Sequence, residues 1–290
     1  MMLREPRTIA EAIERCRLRL RNTSDSPGLD ARLLAQFVTG LDASALIAYG
    51  DATLEQARRR KLFELTERRA GGEPIAYIVG KKSFCGLDLH VDKRVLVPRP
   101  ETEELVQACV DDWSGRAADI ADIGTGSGAI ACALAHLLPA ARITATDVSA
   151  PALEVARDNA ATLLLSEQIS FVASDLFDAL DGALRFDAIV TNLPYVGSEH
   201  RGLEPNVSAH EPSQALLAGP DGLDLYRRLF NEAPQRIKPG GVLYCECGPD
   251  NARELQALAV KAFPGARVEL RKDLAGLDRM IVCRLAGASA

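Results

Sequence analysis

The sequence predicts an α/β fold: a parallel sheet with crossover helices, preceded by a small helical bundle and joined to it by a β-hairpin. Three observations predict it. Residues 1–72 keep a helical period, residues 73–98 change to glycine-punctuated alternation, and residues 99–290 alternate apolar strand-like runs with helical ones. The three stretches are taken as a helical domain, a hairpin linker and the α/β domain. With 290 residues, 47% hydrophobic and 26% charged, the composition suits a globular protein of one or two domains.

In the bundle, the first helix opens with a capping box of Thr8 and Glu11 and carries Ile9, Ile13, Cys16 and Leu20 on one stripe. "LDARLLAQFVTG" and "ASALIAYG" each end on a glycine suited to close a helix. "TLEQARRRKLFELTERRAGG" opens with Thr53 and Gln56 and stops at Gly71 and Gly72. Its run Arg58 to Lys61 lies opposite Leu54, Ala57, Leu62 and Leu65, which makes it a solvated face before it is a nucleic-acid patch. "YIVG", "LDLHVD" and "RVLVP" then read as the extended arms of the hairpin.

"PRPETEELVQACVDDW" is a helix, after which "ADIADIG", "RITATDV", "ISFVAS" and "FDAIVTN" are strands separated by the helices "GAIACALAHLL" and "ALEVARDNAATLL". "GGVLYCECG", a helix from about Ala252, and paired strands at "ARVEL" and "DRMIVCRL" complete the sheet.

Charge and composition exclude several classes. A net charge of -6 offers no general attraction to nucleic-acid phosphates, so a stable nucleic-acid complex is not expected. No apolar run has the length of a membrane span, and the N-terminus lacks a signal core; Glu5, Glu11 and Glu14 argue against a transit peptide. The seven scattered cysteines are expected to be reduced thiols of a cytoplasmic protein. Cys245 and Cys247, at period 2, face one side of a strand, but no histidine stands at ligand spacing and no metal is expected. A monomer is the default.

"DIGTGSGAIA" sets Gly124, Gly126 and Gly128 where a strand turns into its helix, letting the backbone and the helix N-terminus approach a ligand. The pattern alone leaves a nicotinamide dinucleotide open, since Gly124, Gly126 and Ala129 also fit G-x-G-x-x-A. Asp147 ends the next strand, from which a carboxylate accepts ribose hydroxyls in either class; Ser149 before Pro151 is the better helix cap. Asp175, in "SDLF", is either an adenine contact or a loop residue.

The next strand end on the same edge is "TNLPY", which has neither a nucleophile nor a strong base. An amide or aromatic amine needs orientation above all, because its nitrogen lone pair is delocalised. Asn192 Oδ1 can accept one N–H, the Leu193 carbonyl exposed by the stiff Pro194 can accept the other, and Tyr195 can stack on the plane and exclude water. Both acceptors strengthen as the nitrogen gains positive character.

The glycine loop, the acidic strand end and N-x-P-Y resemble class I S-adenosylmethionine-dependent methyltransferases that act on amide or exocyclic amino nitrogens. "GEPIAYIVGKKSFCGLDLHVDKRVLVPRPETEELV", "EPSQALLAGPDGLDLYRRL" and "KDLAGLDRMIV" further resemble the peptide chain release factor glutamine methyltransferase family, and the likeness covers nearly the whole chain. It implies a Rossmann-like, seven-stranded sheet with one antiparallel strand. It also implies that Gly124, Thr125, Gly126, Ser127, Gly128, Asp147, Asp175, Leu176 and Asn192 surround S-adenosyl-L-methionine.

The same resemblance implies that Asn192, Leu193, Pro194 and Tyr195 are the catalytic and substrate-binding turn. They would grip the glutamine amide in the Gly-Gly-Gln loop of class I peptide chain release factors, which the N-terminal bundle helps dock. Glu101 and Glu103 would brace the site, and Glu211 and Pro212 would shape its mouth. Two departures stand out: the family's usual turn is N-P-P-Y, as against leucine at 193, and "ECGPDN" replaces a usual glutamine-containing ending. Alternatives are an amino-methyltransferase acting on ribosomal protein glutamine or on adenine or cytosine in nucleic acid, a nicotinamide oxidoreductase, and a cofactor-sensing module without transfer.

Overall fold

The computed structural model describes residues 6–197 and 209–287. The chain forms two compact units, Met1–Lys81 with Glu204–His210, and Lys82–Leu203 with Glu211–Ala290. In the first, α1 (Ile9–Leu20), α2 (Pro27–Thr39), α3 (Ala43–Ala48), α4 (Gln56–Ala70) and α5 (Ile75–Val79) enclose Ala12, Cys16, Leu34, Leu62 and Leu65. The Thr8–Glu11 capping box forms in full, and Gly40 closes α2 with φ 74°. Arg58, Arg60 and Lys61 are exposed, as a solvated helix face requires.

Two local readings change. Helix α4 begins at Gln56 after Glu55, without a side-chain cap, and Thr53 lies ahead of it in an isolated antiparallel main-chain bridge with Thr8. "PIAYIVG" is not an extended arm: Pro74 starts the single turn of α5, and Gly80, at φ 70°, ends it. The hairpin is therefore the shorter pair β1 (Lys81–Phe84) and β2 (Leu87–His90), turned by Cys85 and Gly86 with φ 48° and 76°. Two positive φ values in a two-residue loop match the right-handed twist of the arms.

The second unit holds α6 (Glu101–Trp113), β3 (Asp119–Ile123), α7 (Ala129–Leu137), β4 (Arg142–Asp147), α8 (Ala150–Thr162), β5 (Ile169–Ala173) and β6 (Phe186–Thr191). It continues through α9 (Asp224–Glu232), β7 (Ile237–Glu246), α10 (Ala252–Ala262), β8 (Arg267–Lys272) and β9 (Asp278–Arg284). The seven strands run in the order β5-β4-β3-β6-β7-β9-β8, parallel except that β9 pairs antiparallel with both neighbours.

Alternate residues feed opposite faces, as period 2 demands. Ile120, Ala188, Val242 and Val282 join α6 and α7 in one core, while Ala121, Ile189, Leu243 and Ile281 join α9 and α10 in the other. Cys245 and Cys247 share the second core, and all seven cysteines are free thiols. Among the described residues no group of side chains could hold a metal, and no helix is long and apolar enough to cross a membrane. The strand order reverses between β3 and β6, and ligands in such sheets bind outside the carboxyl ends there.

Candidate active site

The turn from β3 into α7 is drawn toward β4: the N–H groups of Gly124 and Thr125 both donate to the Thr146 carbonyl, at 2.9 and 2.8 Å. Its three glycines do different work. Gly124 has φ 77°, and a β-carbon there would stand 2.8 Å from Leu193 Cδ2. Gly126, at φ 55°, would find nothing within 4 Å, so its backbone faces open space. Gly128 does not line the cavity; a β-carbon on it would meet Ala156 Cβ at 3.0 Å, so its smallness lets α7 approach α8.

Asp147 receives the Gly126 N–H on one oxygen and the Ser149 N–H on the other, both at 2.8 Å. Burial pushes its carboxyl up while these backbone donors draw it down. Ser149 caps α8 by accepting from Ala152, as its sequence position indicates. Asp175 is half exposed and pairs with Arg228 on α9 at 3.0 Å. Leu176 follows with φ 49°, a conformation L-residues rarely adopt, and is buried against Phe177 and Leu193 in one core.

The Asn192 side chain is held from behind. Its Nδ2 donates to Thr102 Oγ1 at 3.0 Å, and Thr102 donates to Glu246 Oε2 at 2.6 Å. Glu246 is 1% exposed. The Tyr226 hydroxyl lies 2.6 Å from the Glu246 carbonyl and 3.2 Å from that of Leu193, tying the turn to β7. Tyr195 leans away from the cavity: its hydroxyl reaches Glu246 Oε1 at 3.3 Å, and a β-carbon on Gly248 would touch its ring at 3.0 Å.

The unusual ending "ECGPDN" acquires a role here. Asn251 Nδ2 donates to the Tyr195 carbonyl at 2.8 Å, so an amide side chain from the start of α10 holds the last residue of the turn.

One cavity joins these parts. Gly124, Thr125, Gly126, Ser127, Asp147, Asp175, Leu176, Asn192, Leu193 and Pro194 line it, whereas Gly128 and Tyr195 do not. Pro212 is at its wall, and Glu211 accepts from Val97 N–H at 3.2 Å and Arg99 at 2.7 Å, bracing the segment before α6. Glu103 accepts the Cys85 N–H at 3.1 Å and so supports the hairpin turn; Glu101 lies outside the cavity.

Sequence reasoning missed Thr102, Glu246, Tyr226 and Asp122. Glu246 had a signal, a lone carboxylate inside the apolar strand "VLYCEC", where an unpaired charge is costly. Asp122 had the same one in "ADIADIG"; it is fully buried and bound by Thr125 Oγ1 at 2.5 Å and Ala131 N–H at 3.1 Å. Thr102 and Tyr226 looked like ordinary helix residues.

The family model described as the PrmC N-terminal domain matches residues 11–80, and that described as the methyltransferase small domain matches residues 101–209. The release factor glutamine methyltransferase of Rhodopirellula baltica is 41% identical over 264 residues, covering 89% of each chain. That of Caulobacter vibrioides is 37% identical over 278 residues, covering 95% of this chain and 96% of its own. Among solved structures, a methyltransferase from Pyrococcus furiosus matches with a TM-score of 0.51 at 19% identity, over 69% of this chain and 90% of that one, a likeness of fold alone.

Proposed function

The chain belongs to the release factor glutamine methyltransferase family, and on that premise we propose that it methylates N5 of the glutamine in the Gly-Gly-Gln loop of class I peptide chain release factors, with S-adenosyl-L-methionine as donor. The observation that carries the reading is the single cavity in which the glycine turn and Asp147 meet Asn192, Leu193 and Pro194. Binding of the donor and orientation of an amide are thereby assigned to adjoining walls.

The residues present fit the donor. A carboxylate offers about four lone-pair sites, so Asp147 keeps capacity for ribose hydroxyls beyond the Gly126 and Ser149 N–H groups it already accepts. The open side of Gly126 leaves room for close approach, and Val148 and Leu176 supply apolar wall. When bound, the donor supplies a methyl group on a positively charged sulfur.

The chain's own task is to aim the nucleophile. Asn192 Oδ1 accepts one N–H of the glutamine amide, and the Leu193 carbonyl accepts the other on the lone pair that the Tyr226 hydroxyl leaves free. The pair fixes the amide plane and strengthens as positive character develops on nitrogen. Leucine in place of the family's proline is compatible with this, because its side chain packs on Gly124 and its acceptor is main-chain. Tyr195 holds the turn through Glu246 and Asn251 in place of stacking on the substrate plane.

The helical first unit is assigned to docking the release factor, and the enzyme to the cytoplasm as a monomer. The test offers labelled S-adenosylmethionine with a purified class I release factor, ribosomal proteins and ribosomal RNA in separate reactions, with mass mapping of the product. Label on the Gly-Gly-Gln glutamine is expected; label only on RNA or on a ribosomal protein overturns the assignment.

A further inference from the structure

Thr102 Oγ1 stands between two groups with opposite demands, 2.6 Å from Glu246 Oε2 and 3.0 Å from Asn192 Nδ2. A hydroxyl has one proton to give. An ionised carboxylate only accepts, so that proton goes to Glu246, and the Thr102 oxygen must in turn accept from Asn192. The amide is thereby forced to present its NH2 to Thr102 and its Oδ1 to the opposite side. Thr102 and Asn192 both line the cavity, while Glu246 is buried behind them.

We propose that Glu246 and Thr102 are positioning residues that set the polarity of the Asn192 amide, and that a proton on Glu246 reverses it. In the protonated state Glu246 donates to Thr102, and the Thr102 proton turns to Asn192. The amide then presents Oδ1 to Thr102 and directs N–H groups at the substrate's own N–H. One O–H bond forms, as Glu246 takes a proton from solvent; the Thr102–Glu246 and Asn192–Thr102 hydrogen bonds reverse direction, and the bond from the substrate N–H to Asn192 is lost. The inference rests on the proposed role of Asn192 as acceptor.

The groups around this carboxyl act on its proton in both directions. Burial pushes Glu246 above the usual carboxylate range; Thr102, Arg279 of β9 and the Tyr195 hydroxyl draw it down, and Glu101 adds to the rise. Arg279 is itself shared with Asp273 at 3.0 Å, so it does not pin Glu246 in the charged form alone. The Tyr226 hydroxyl engages the Glu246 main chain and leaves the carboxylate to Thr102 and Tyr195.

The test compares Thr102→Val, which keeps the shape and removes the hydroxyl, with Thr102→Ser, which keeps the hydroxyl, in the full chain. Transfer to a class I release factor, donor affinity by calorimetry, and the side-chain NH2 resonances of Asn192, assigned by their loss in Asn192→Ala, are measured across pH. Thr102→Val is expected to lower kcat by about tenfold or more with donor affinity within about twofold, and Thr102→Ser to restore most of it. In the wild type the Asn192 resonances should titrate, and kcat should fall as pH drops through that same transition; in Thr102→Val both dependences should vanish.

Wild-type resonances that stay flat with pH, or a Thr102→Val enzyme with the wild-type kcat and pH profile, overturn the inference. The resonances need no acceptor substrate. A wild-type enzyme that leaves the release factor unlabelled would therefore defeat the functional reading, while the amide titration still decides the relay. If Thr102→Val fails to fold, the wild-type titration and its loss in Glu246→Gln decide in its place.

Discussion

A β-carbon added to Gly124 would stand 2.8 Å from Leu193 Cδ2, so the first glycine of the β3 turn and the leucine of the Asn192 turn are in contact. Gly124→Ala should destabilise by about 2 kcal/mol or more, from the positive φ together with that overlap. Leu193→Ala removes the obstructing atoms. The double variant should accordingly lose less than the two singles combined, by at least about 0.5 kcal/mol in a urea-unfolding cycle. Strict additivity would mean that the leucine yields without cost.

Asn192 and Asp147 share a cavity but should fail differently. Asn192→Ala removes one of the two proposed orienting acceptors and should lower kcat by about a hundredfold while changing donor affinity little. Asp147→Ala removes the carboxylate that bonds Gly126 and Ser149 and should weaken donor binding by about tenfold or more, with a smaller effect on kcat at saturation. Calorimetry and steady-state kinetics on both variants decide. Equal losses of affinity and kcat in the two would remove the division of labour.

These two residues also mark what could be read from the sequence. Local signals sufficed for the sheet, because strands buried on both faces write continuous apolar runs and each crossover helix has its own period. They also put Asp147 and Asn192 at strand ends on one edge, and both line the cavity. The support beneath them was not legible. Thr102 meets Asn192 across 90 residues of chain and Glu246 across 144, and no local spacing encodes a contact of that range. Gly128 looked like a third ligand-facing glycine and is a helix-packing residue, because a glycine requirement does not say which neighbour imposes it. The place of Tyr195 after Pro194 suggests a ring stacked on the substrate plane. The buried Glu246 carboxylate needs donors, however, and its hydroxyl is one of them.

Tyr226→Phe should separate turn geometry from cavity shape. The hydroxyl joins two main-chain carbonyls, Glu246 at 2.6 Å and Leu193 at 3.2 Å, in a fully buried position, and phenylalanine fills the same space. Loss of the bond should cost about 1 to 2 kcal/mol of stability. Because the Leu193 carbonyl is one of the two proposed acceptors, kcat should fall as well, while donor affinity holds. A variant with reduced stability and unaltered kcat would show that the hydroxyl supports the core without setting the turn.

Asp122 supplies a prediction about pH. It is fully buried; Oδ2 accepts from Thr125 and Ala131, and Oδ1 has no partner among the described residues. Burial, with Asp147 adding to it, pushes its carboxyl from the ordinary 3.8 up to about 7. Between those values the folded protein holds a proton that the unfolded chain has released. Stability from this group is therefore present at low pH and is lost as pH rises toward 7, by at most on the order of 4 kcal/mol. Asp122→Asn keeps the shape and abolishes the titration. Other carboxyls are common to both proteins and cancel in the difference, so the stability of the variant relative to wild type, from urea midpoints, should improve steadily from about pH 4 to about pH 7. A difference constant across that range would mean that Asp122 stays ionised in the folded state, with the Thr125 and Ala131 donors outweighing its burial.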